Sequence, residues 1–237
     1  MPPLADIRTN LDSVRRRLQA AAHRAHRAPT DITLVAVSKT FGPDLIRAAA
    51  AEGQRIFGEN RVQEALAKRD ALEDLPLEWH LIGHLQSNKA RKAVTHFTCI
   101  HSVDRLDLLT RLDAAAAEAG VTPRILIQVD LAGEATKHGA DRAVLDDLVA
   151  AAAGAAHVRL SGLMLIPPNP DTPDASRPWF RRLRDLRDEL VAARTAPADC
   201  LRDLSMGMSH DFEVAIEEGA TIVRVGTSIF GSRPAPA

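Results

Sequence analysis

Residues 201–225, LRDLSMGMSHDFEVAIEEGATIVRV, contain the pattern that decides the fold. Apolar runs at 201–205 and 222–225 are short enough for buried strands, and the amphipathic segment 212–218 between them has the spacing of a helix. Two strands joined by a helix form the unit from which parallel sheets are built. This stretch therefore predicts a parallel α/β fold.

The same alternation extends through the rest of the chain. Predicted strands lie at 32–38, 55–58, 79–83, 99–103, 124–130, 160–166, 201–205 and 222–225. Predicted helices lie at 44–52, 62–72, 87–94, 106–119, 142–153, 179–194 and 212–218. Eight strands separated by helices are typical of a (β/α)8 TIM-type barrel, with an open doubly wound sheet as the alternative. We expect residues 1–237 to form one barrel domain, with the proline-rich segment 167–178 as a loop.

An additional helix is predicted before the first strand, at residues 4–27. Its apolar positions are three and four residues apart, at Leu4, Ile7, Leu11, Val14 and Leu18. That spacing gives one apolar stripe, and the opposite face is rich in arginine. A membrane-surface helix would have such a basic face, but Asp6 and Asp12 interrupt it, so the pattern favours a helix packed on the barrel.

Composition limits the function classes. The 237 residues are 46% hydrophobic and 26% charged, which is typical of a globular chain, and the net charge of −1 gives no nucleic-acid footprint. No apolar run is long enough for a membrane span, and the N-terminus lacks the apolar core of a signal peptide. Cys99 and Cys200 match no metal-ligand spacing, so we expect free thiols in a cytoplasmic protein. We also expect a monomer.

Polar residues collect where the predicted strands end, which is the functional face of such barrels. Lys39 follows the first strand and has three readings: a solvated strand end, a salt-bridge partner or an amine that forms a Schiff base. Gly226 and Thr227 follow the eighth strand, and Ser209 follows the seventh, at turns whose backbone amides suit a phosphate. An aldehyde that carries a phosphate would fit both Lys39, through its carbonyl carbon, and the two turns, through its phosphate. Pyridoxal 5′-phosphate is such a molecule.

Two other kinds of site are disfavoured by the same segments. His80 and His84 have the spacing of a helical metal pair, but they lie in a predicted strand, where this spacing does not form the helical pair. Ser209, His210 and Asp211 are adjacent in sequence, whereas a catalytic triad is assembled from separate elements. We therefore predict neither a metal site nor a serine hydrolase.

Several segments resemble the pyridoxal phosphate homeostasis protein family. They are LVAVSKT (34–40), FGENRVQEA (57–65), WHLIGHLQSNK (79–89), SGLM (161–164) and LSMGMSHDFEVAIEEGATIVRVGTSIFGSR (204–233). Their order and spacing match the family from about residue 4 to residue 233. The resemblance implies the barrel of the alanine racemase N-terminal domain, which is the barrel of PLP fold type III.

The resemblance also implies roles for individual residues. Lys39 would form the Schiff base, and Arg224 would face the pyridine nitrogen. Ser209, Gly226 and Thr227 would hold the phosphate. Asn60 and Met164 would lie near the ring.

The resemblance implies a protein that binds and buffers the cofactor, with no established catalytic activity, so no catalytic residue is assigned. A further reading is a carrier of the cofactor, with apo enzymes that use it as possible recipients. The chain has no tyrosine, the residue that alanine racemase uses as one of its two bases. His80, His84 and Cys99 remain open as substitutes. The alternative is therefore a slow racemase, lyase or transaminase acting on amino acids.

Overall fold

Eight parallel strands close into a barrel in the order of the chain, and the last strand pairs with the first. The computed structural model describes residues 4–133, 138–168 and 171–232. The strands are β1 (Thr33–Val37), β2 (Ile56–Glu59), β3 (Glu78–Leu81), β4 (Cys99–Val103), β5 (Arg124–Gln128), β6 (Arg159–Met164), β7 (Asp203–Met208) and β8 (Ile222–Val225). Pairing of Val35 with Arg224 and of Ala36 with Val225 closes the ring, so the open doubly wound alternative is wrong.

Helices follow or precede each strand and cover the outside of the barrel. They are α1 (Leu4–Arg24), α2 (Pro43–Ala51), α3 (Val62–Asp70), α4 (Ala90–His96), α5 (Leu106–Ala119), α6 (Arg142–Ala153), α7 (Arg177–Ala192), α8 (Phe212–Glu217) and α9 (Thr227–Phe230). Two helices, α5 and α6, have the predicted bounds. The predicted helix 87–94 is instead a 3-10 turn at Ser87–Lys89 followed by α4. Of the predicted loop 167–178, positions 169 and 170 lie outside the described residues, and Pro173–Ser176 form a 3-10 turn.

The α1 helix packs against α2, α8 and α9, as its apolar stripe predicts. Ile7 and Leu11 are fully buried in the main core. The basic face is directed at α8: Arg17 lies 4.7 Å from the centroid of the Phe212 ring and forms a 2.7 Å ion pair with Glu213. Arg24 likewise pairs with Glu217 over 2.8 Å, so part of the basic face that suggested a membrane surface binds another helix of the same chain.

The seventh strand begins and ends later than its apolar residues predict. Leu201 is fully buried, but it belongs to the 3-10 turn Ala198–Leu201 rather than to β7. At the other end β7 continues through Gly207, which has φ +89°. A Cβ added to Gly207 would lie 2.5 Å from the Cβ of Ala215 on α8, so both the backbone angle and the close packing require glycine here.

Side chains alternate between the inside of the barrel and the layer beneath the helices, as parallel strands require. A small apolar cluster, separate from the main core, comes from positions on five strands: Val35, Cys99, Leu126, Met164 and Ile222. On β8, Ile222 belongs to this inner cluster, and Val223 and Val225 belong to the outer core. Arg224 therefore points inward with Ile222. No helix in the described part of the chain combines the length and apolar character needed to cross a membrane.

Candidate functional site

A cavity of about 230 Å³ opens at the carboxyl ends of the strands. Its lining residues follow or end β1, β2, β3, β6, β7 and β8: Val37, Lys39, Phe41, Asn60, Ile82, Ile166, Met208, Ser209, His210, Arg224, Gly226 and Thr227. Six of the seven residues predicted from the sequence thus share one cavity, although they are up to 188 positions apart in the chain. The closure of β8 on β1 brings Lys39 and Gly226 together.

Met164 is the predicted residue that does not line this cavity. Its side chain is fully buried in the inner apolar cluster with Leu126 and Ile222. Met164 ends β6 and packs inside the barrel, and it is not among the residues that line the cavity.

The loop that carries Lys39 is held in place on both sides of that residue. The Ser38 hydroxyl donates to Oε1 of Glu59 over 2.6 Å, and the Thr40 amide donates to Oε1 of Glu64 over 2.6 Å. Thr40 has φ +70°, a left-handed conformation that is uncommon for a β-branched residue. This conformation turns the chain sharply after Lys39, and the bond to Glu64 compensates for its cost.

A buried lysine connects these anchors. Lys68 on α3 is 7% exposed, and its Nζ donates to the Ser38 carbonyl over 2.8 Å and to Oε1 of both Glu59 and Glu64 over 2.7 Å. Burial raises the pKa of Glu59, which opposes the effect of the neighbouring Lys68. Two carboxylates and a cation therefore fix the position from which Lys39 enters the cavity.

Arg224 supplies a buried positive charge at the base of the cavity. It is 4% exposed, and its Nη1 donates to the Ser205 hydroxyl over 2.7 Å, whereas its Nη2 donates to the Leu165 carbonyl over 2.9 Å. Burial lowers the pKa of the guanidinium to about 10, so it stays protonated at neutral pH. The inward arginine finds neutral acceptors here, and its remaining N–H groups, like these two, can only donate.

The turns after β7 and β8 face each other across a short gap. The amides of Gly226 and Ser228 both donate to the Ser209 hydroxyl, over 3.1 and 3.3 Å. A Cβ added to Gly226 would lie 3.2 Å from the carbonyl oxygen of Val37, so glycine keeps this wall of the cavity open. Two backbone amides thus point at one hydroxyl oxygen between the turns, and amides of this kind are donors from which an oxygen-rich anion can accept.

Asp211 shows why the adjacent Ser209, His210 and Asp211 form no triad. Its carboxylate is 2% exposed and accepts from the Met208 amide over 2.8 Å and from the Ser176 hydroxyl over 2.6 Å. It therefore shapes the turn after β7, and both of its oxygens are engaged away from His210.

The two histidines of HLIGH lie in different places. His80 is fully buried inside the barrel, near His101 and Cys99, and burial raises the pKa of the Cys99 thiol to about 12. His84 lies at the mouth and stacks on His138, with ring centroids 3.7 Å apart and planes 14° apart.

Asp104 completes the cluster at the mouth, with its Oδ2 3.7 Å from Nδ1 of His84. Its carboxylate already accepts from Arg105 over 2.6 Å. The ligand atoms of His84, Asp104 and His138 lie within 4.8 Å of one another, so the three could hold a metal ion, in competition with the Arg105 ion pair.

Sequence reasoning missed several lining residues. Phe41, Ile82, Ile166 and Met208 are apolar, and nothing in their local pattern separates them from core residues. Exposure distinguishes two of them, since Ile166 and Met208 are 37% and 36% exposed at the rim. His210 could have been found, because it directly follows Ser209 at a strand end.

Comparisons with known proteins agree with this architecture. The family model described as alanine racemase, N-terminal domain, matches residues 9–234. A pyridoxal phosphate homeostasis protein of Aquifex aeolicus is 46% identical over 223 residues, covering 94% of this chain and 96% of the relative. A protein of the same name from Escherichia coli is 42% identical over 233 residues, covering 96% and 97%. The structure of PipY from Synechococcus elongatus with PLP bound is similar at a TM-score of 0.84 and 45% identity, covering 95% of this chain and 100% of that one.

Proposed function

Because the chain belongs to the pyridoxal phosphate homeostasis protein family, which is built on the alanine racemase N-terminal domain, we propose that it binds pyridoxal 5′-phosphate as a Schiff base on Lys39. We propose further that it buffers and carries this cofactor in the cytoplasm, as a monomer. The observation that carries the proposal is the meeting of Lys39, Arg224 and the Ser209–Thr227 region in one cavity.

Each chemical group of the cofactor has a suitable partner among these residues. The Lys39 amine would bond to the aldehyde carbon. The Ser209 hydroxyl, the Gly226 amide and Thr227 would hold the phosphate, in the place where two amides already converge on the Ser209 hydroxyl. Arg224, protonated and donor-only, suits an unprotonated pyridine nitrogen. Asn60 lies in the wall of the same cavity and would contact the ring, and Met164 would support it from beneath.

The same residues support a carrier rather than an efficient enzyme. When bound, the cofactor supplies a ring that withdraws electrons from a substrate, and it does so best with a protonated nitrogen. Arg224 disfavours that proton. A racemase also needs a base on each face of the substrate, and two of the residues left open for the second face, His80 and Cys99, are fully buried inside the barrel.

One observation favours the alternative of slow amino-acid chemistry. His210 lines the cavity next to Ser209 and is exposed, so a base at the mouth is available in principle. Exchange of the α-proton into deuterated water, followed by NMR over a panel of amino acids, tests this alternative. Turnover near the enzyme median of about 10 per second with any one amino acid would replace the carrier proposal by a racemase, lyase or transaminase.

The experiment that tests the Schiff base is borohydride reduction of the cofactor-loaded protein. The loaded protein should absorb at the edge of the visible range, and reduction should fix the label on the peptide that contains Lys39. Lys39→Ala should abolish both the band and the label. Lys92→Ala is the matched control, since Lys92 is an exposed lysine on α4. A label that persists in Lys39→Ala, at Lys89 or Lys137 for example, contradicts the assignment.

Binding of the phosphate can be tested by comparing two ligands. Ser209→Ala and Thr227→Val should each weaken binding of pyridoxal 5′-phosphate by roughly 1–3 kcal/mol, the size of a lost charge-assisted hydrogen bond. They should leave the weaker binding of unphosphorylated pyridoxal nearly unchanged in calorimetric titrations. Equal losses for the two ligands would show that neither residue contacts the phosphate.

The carrier role requires that the cofactor can leave. We expect the loaded protein to restore activity to an apo enzyme that depends on pyridoxal 5′-phosphate, added at equal concentration. The comparison is an equal amount of free cofactor supplied across a dialysis membrane. If the loaded protein reactivates the apo enzyme no faster than this free cofactor does, its role is limited to storage.

A further inference from the structure

A continuous hydrogen-bonded chain crosses the inside of the barrel beneath Arg224. The Ser205 hydroxyl, which accepts from Arg224, lies 2.9 Å from Nδ1 of His101. Nε2 of His101 lies 3.0 Å from Nδ1 of His80, and Nε2 of His80 lies 3.0 Å from Oε1 of Glu78. We call these five residues, from Arg224 to Glu78, the interior chain.

The interior chain connects the two ends of the barrel. Ser205, His80 and His101 are completely buried, whereas the Glu78 side chain is 35% exposed at the amino end of β3. There Oε1 of Glu78 also accepts from Arg124 over 3.0 Å and from the Thr98 hydroxyl over 3.1 Å. One end of the interior chain thus lies in the candidate cavity, and the other is anchored by charged residues at the opposite face.

The chemistry of the two ends fixes the direction of every bond between them. A guanidinium can only donate, so Ser205 accepts from Arg224, and among the described contacts Nδ1 of His101 is the acceptor left for the Ser205 proton. A carboxylate can only accept, so Nε2 of His80 donates to Glu78 over 3.0 Å, and the Arg124 guanidinium, 3.5 Å from the same nitrogen, is too far away to compete. Both requirements are met at once if His101 and His80 each carry a single proton, on Nε2.

The surroundings agree with two neutral imidazoles. Burial lowers the pKa of His80, and it lowers the pKa of His101 well below the ordinary value of 6.5. The hydrogen bond from His80 is the main cause that lowers the pKa of Glu78 to about 2, so this end is ionised at neutral pH. The charged groups facing the two histidines are Glu78, Arg124, Asp203 and Arg224.

The chemistry of its two ends excludes a role of the interior chain in moving a proton between Arg224 and Glu78. Such a transfer would leave a neutral Arg224 and a protonated Glu78. The pKa of Glu78 is lowered, and an arginine guanidinium does not give up its proton in proteins, so this transfer is strongly unfavourable. Each proton of the interior chain therefore stays on the donor atom assigned to it above.

We infer that Ser205, His101 and His80 are positioning residues, which keep Arg224 oriented and donating toward the cavity. This inference rests on the proposed function for its consequence: the ring atom that meets Arg224 must be an acceptor, because the arginine has no freedom to turn or to release a proton. Ser205, His101 and His80 do not line the cavity, so they would favour an unprotonated pyridine nitrogen only through Arg224.

The test uses the full chain, with and without pyridoxal 5′-phosphate, and reads the residues directly by 15N NMR. In the protein without cofactor, His80 and His101 should both be neutral with the proton on Nε2, and the Nη resonances of Arg224 should be resolved because its rotation is restricted. His101→Phe removes both bonds of the central residue, so the Arg224 resonances should merge. His101→Gln can accept from Ser205 and donate to His80, so it should restore them.

Cofactor binding gives the second readout. We expect His101→Phe to raise the Kd for pyridoxal 5′-phosphate roughly tenfold, His101→Gln to recover most of that loss, and the exposed control His157→Phe to have no effect. If His101→Phe does not fold, Ser205→Ala breaks the interior chain one residue nearer to Arg224 and should merge the same resonances.

The outcomes separate this inference from the proposed function. An imidazolium at His80 or His101, a proton on Nδ1 of either, or an Arg224 signal unchanged in His101→Phe and Ser205→Ala would overturn it, whatever the protein binds. Failure to bind pyridoxal 5′-phosphate, with both tautomers and the Arg224 signals as expected, would overturn the proposed function and leave the ordered interior chain established.

Discussion

Lys68 is a single residue on which the geometry around Lys39 depends. It is buried, and it bonds to the Ser38 carbonyl, Glu59 and Glu64 at once. Oε2 of Glu59 is buried and makes no hydrogen bond in the described structure, so Lys68 is the main compensation for that carboxyl. Removing one partner of a buried ion pair usually costs more than the pair contributes, because the other charge stays behind.

We therefore expect Lys68→Met to lower the free energy of unfolding by about 3–5 kcal/mol, measured by urea denaturation. Lys68→Met combined with Glu59→Leu should recover much of this loss, since no buried charge is then left alone. The matched control is Arg142→Met, which removes an exposed ion pair with Asp146 and should change stability by about 0.5 kcal/mol or less. A loss for Lys68→Met no larger than for this control would contradict the role of the buried pair.

At the scale of elements, the α1 helix is an addition to the barrel that buries one face completely. Leu11 is 0% exposed, and Asn10 donates from its side-chain amide to the Ile229 carbonyl over 3.0 Å. That contact lies in α9, two residues after Thr227 of the candidate site. The helix thus supports the turn at the end of β8 from behind.

Shortening a side chain in this interface should be costly. Leu11→Ala should lower the free energy of unfolding by about 2–5 kcal/mol, because a cavity remains where the side chain was. Arg16→Ala, on the exposed side of the same helix, should stay within about 0.5 kcal/mol. Equal effects of the two substitutions in thermal or urea unfolding would mean that α1 is only loosely attached.

Elements differ in how well the sequence predicts them. The helices α5 and α6 and the strands β4 and β8 have the predicted bounds, because their apolar periodicity ends where the element ends. The predicted bounds of β7 are wrong, because Leu201 is apolar for packing in a turn and Gly207 lies inside the strand with a positive φ. The local pattern of apolar residues indicates which positions are buried. Strands and the turns beneath them both contain buried positions, so the pattern does not separate the two.

Residues of the candidate site also differ in how well the sequence predicts them. Lys39, Ser209 and Gly226 stand out because a polar or small residue directly follows an apolar run. The interior chain was not predictable in this way, since His80, His101 and Ser205 come from three strands and meet only when the barrel closes. Phe41 and Ile82 were missed for the opposite reason, because an apolar residue in a cavity wall has the same pattern as one in the core.

At the scale of the whole molecule, neutral buried histidines make stability depend on pH. The folded chain lowers the pKa of His80 and His101 below 6.5, mainly by burial. Below pH 6.5 the unfolded chain therefore binds protons that the folded chain does not. The free energy of unfolding should fall as the pH falls, by up to about 1.4 kcal/mol per pH unit for each histidine. Glu78 adds a further loss as the pH falls from 4.5 toward about 2.

Urea denaturation between pH 7.5 and pH 4.5 measures this dependence. His101→Gln should make the slope shallower by about one proton, and His23→Gln, at an exposed histidine of α1, should leave it unchanged. A slope that is the same in all three proteins would show that the interior histidines take up protons in the folded state.

The pairing of β1 with β8 has a consequence for how the molecule comes apart. This seam joins the earliest and the latest strands of the chain, and Lys39 and Gly226 lie on its two sides at the mouth. Any ligand that contacts both residues spans the one strand junction that has no short covalent connection. A bound ligand would then control the rate at which β1 and β8 separate. The lifetime of the bound ligand would set the resistance of the protein to proteases and to mechanical pulling on the termini, even where equilibrium stability changes little.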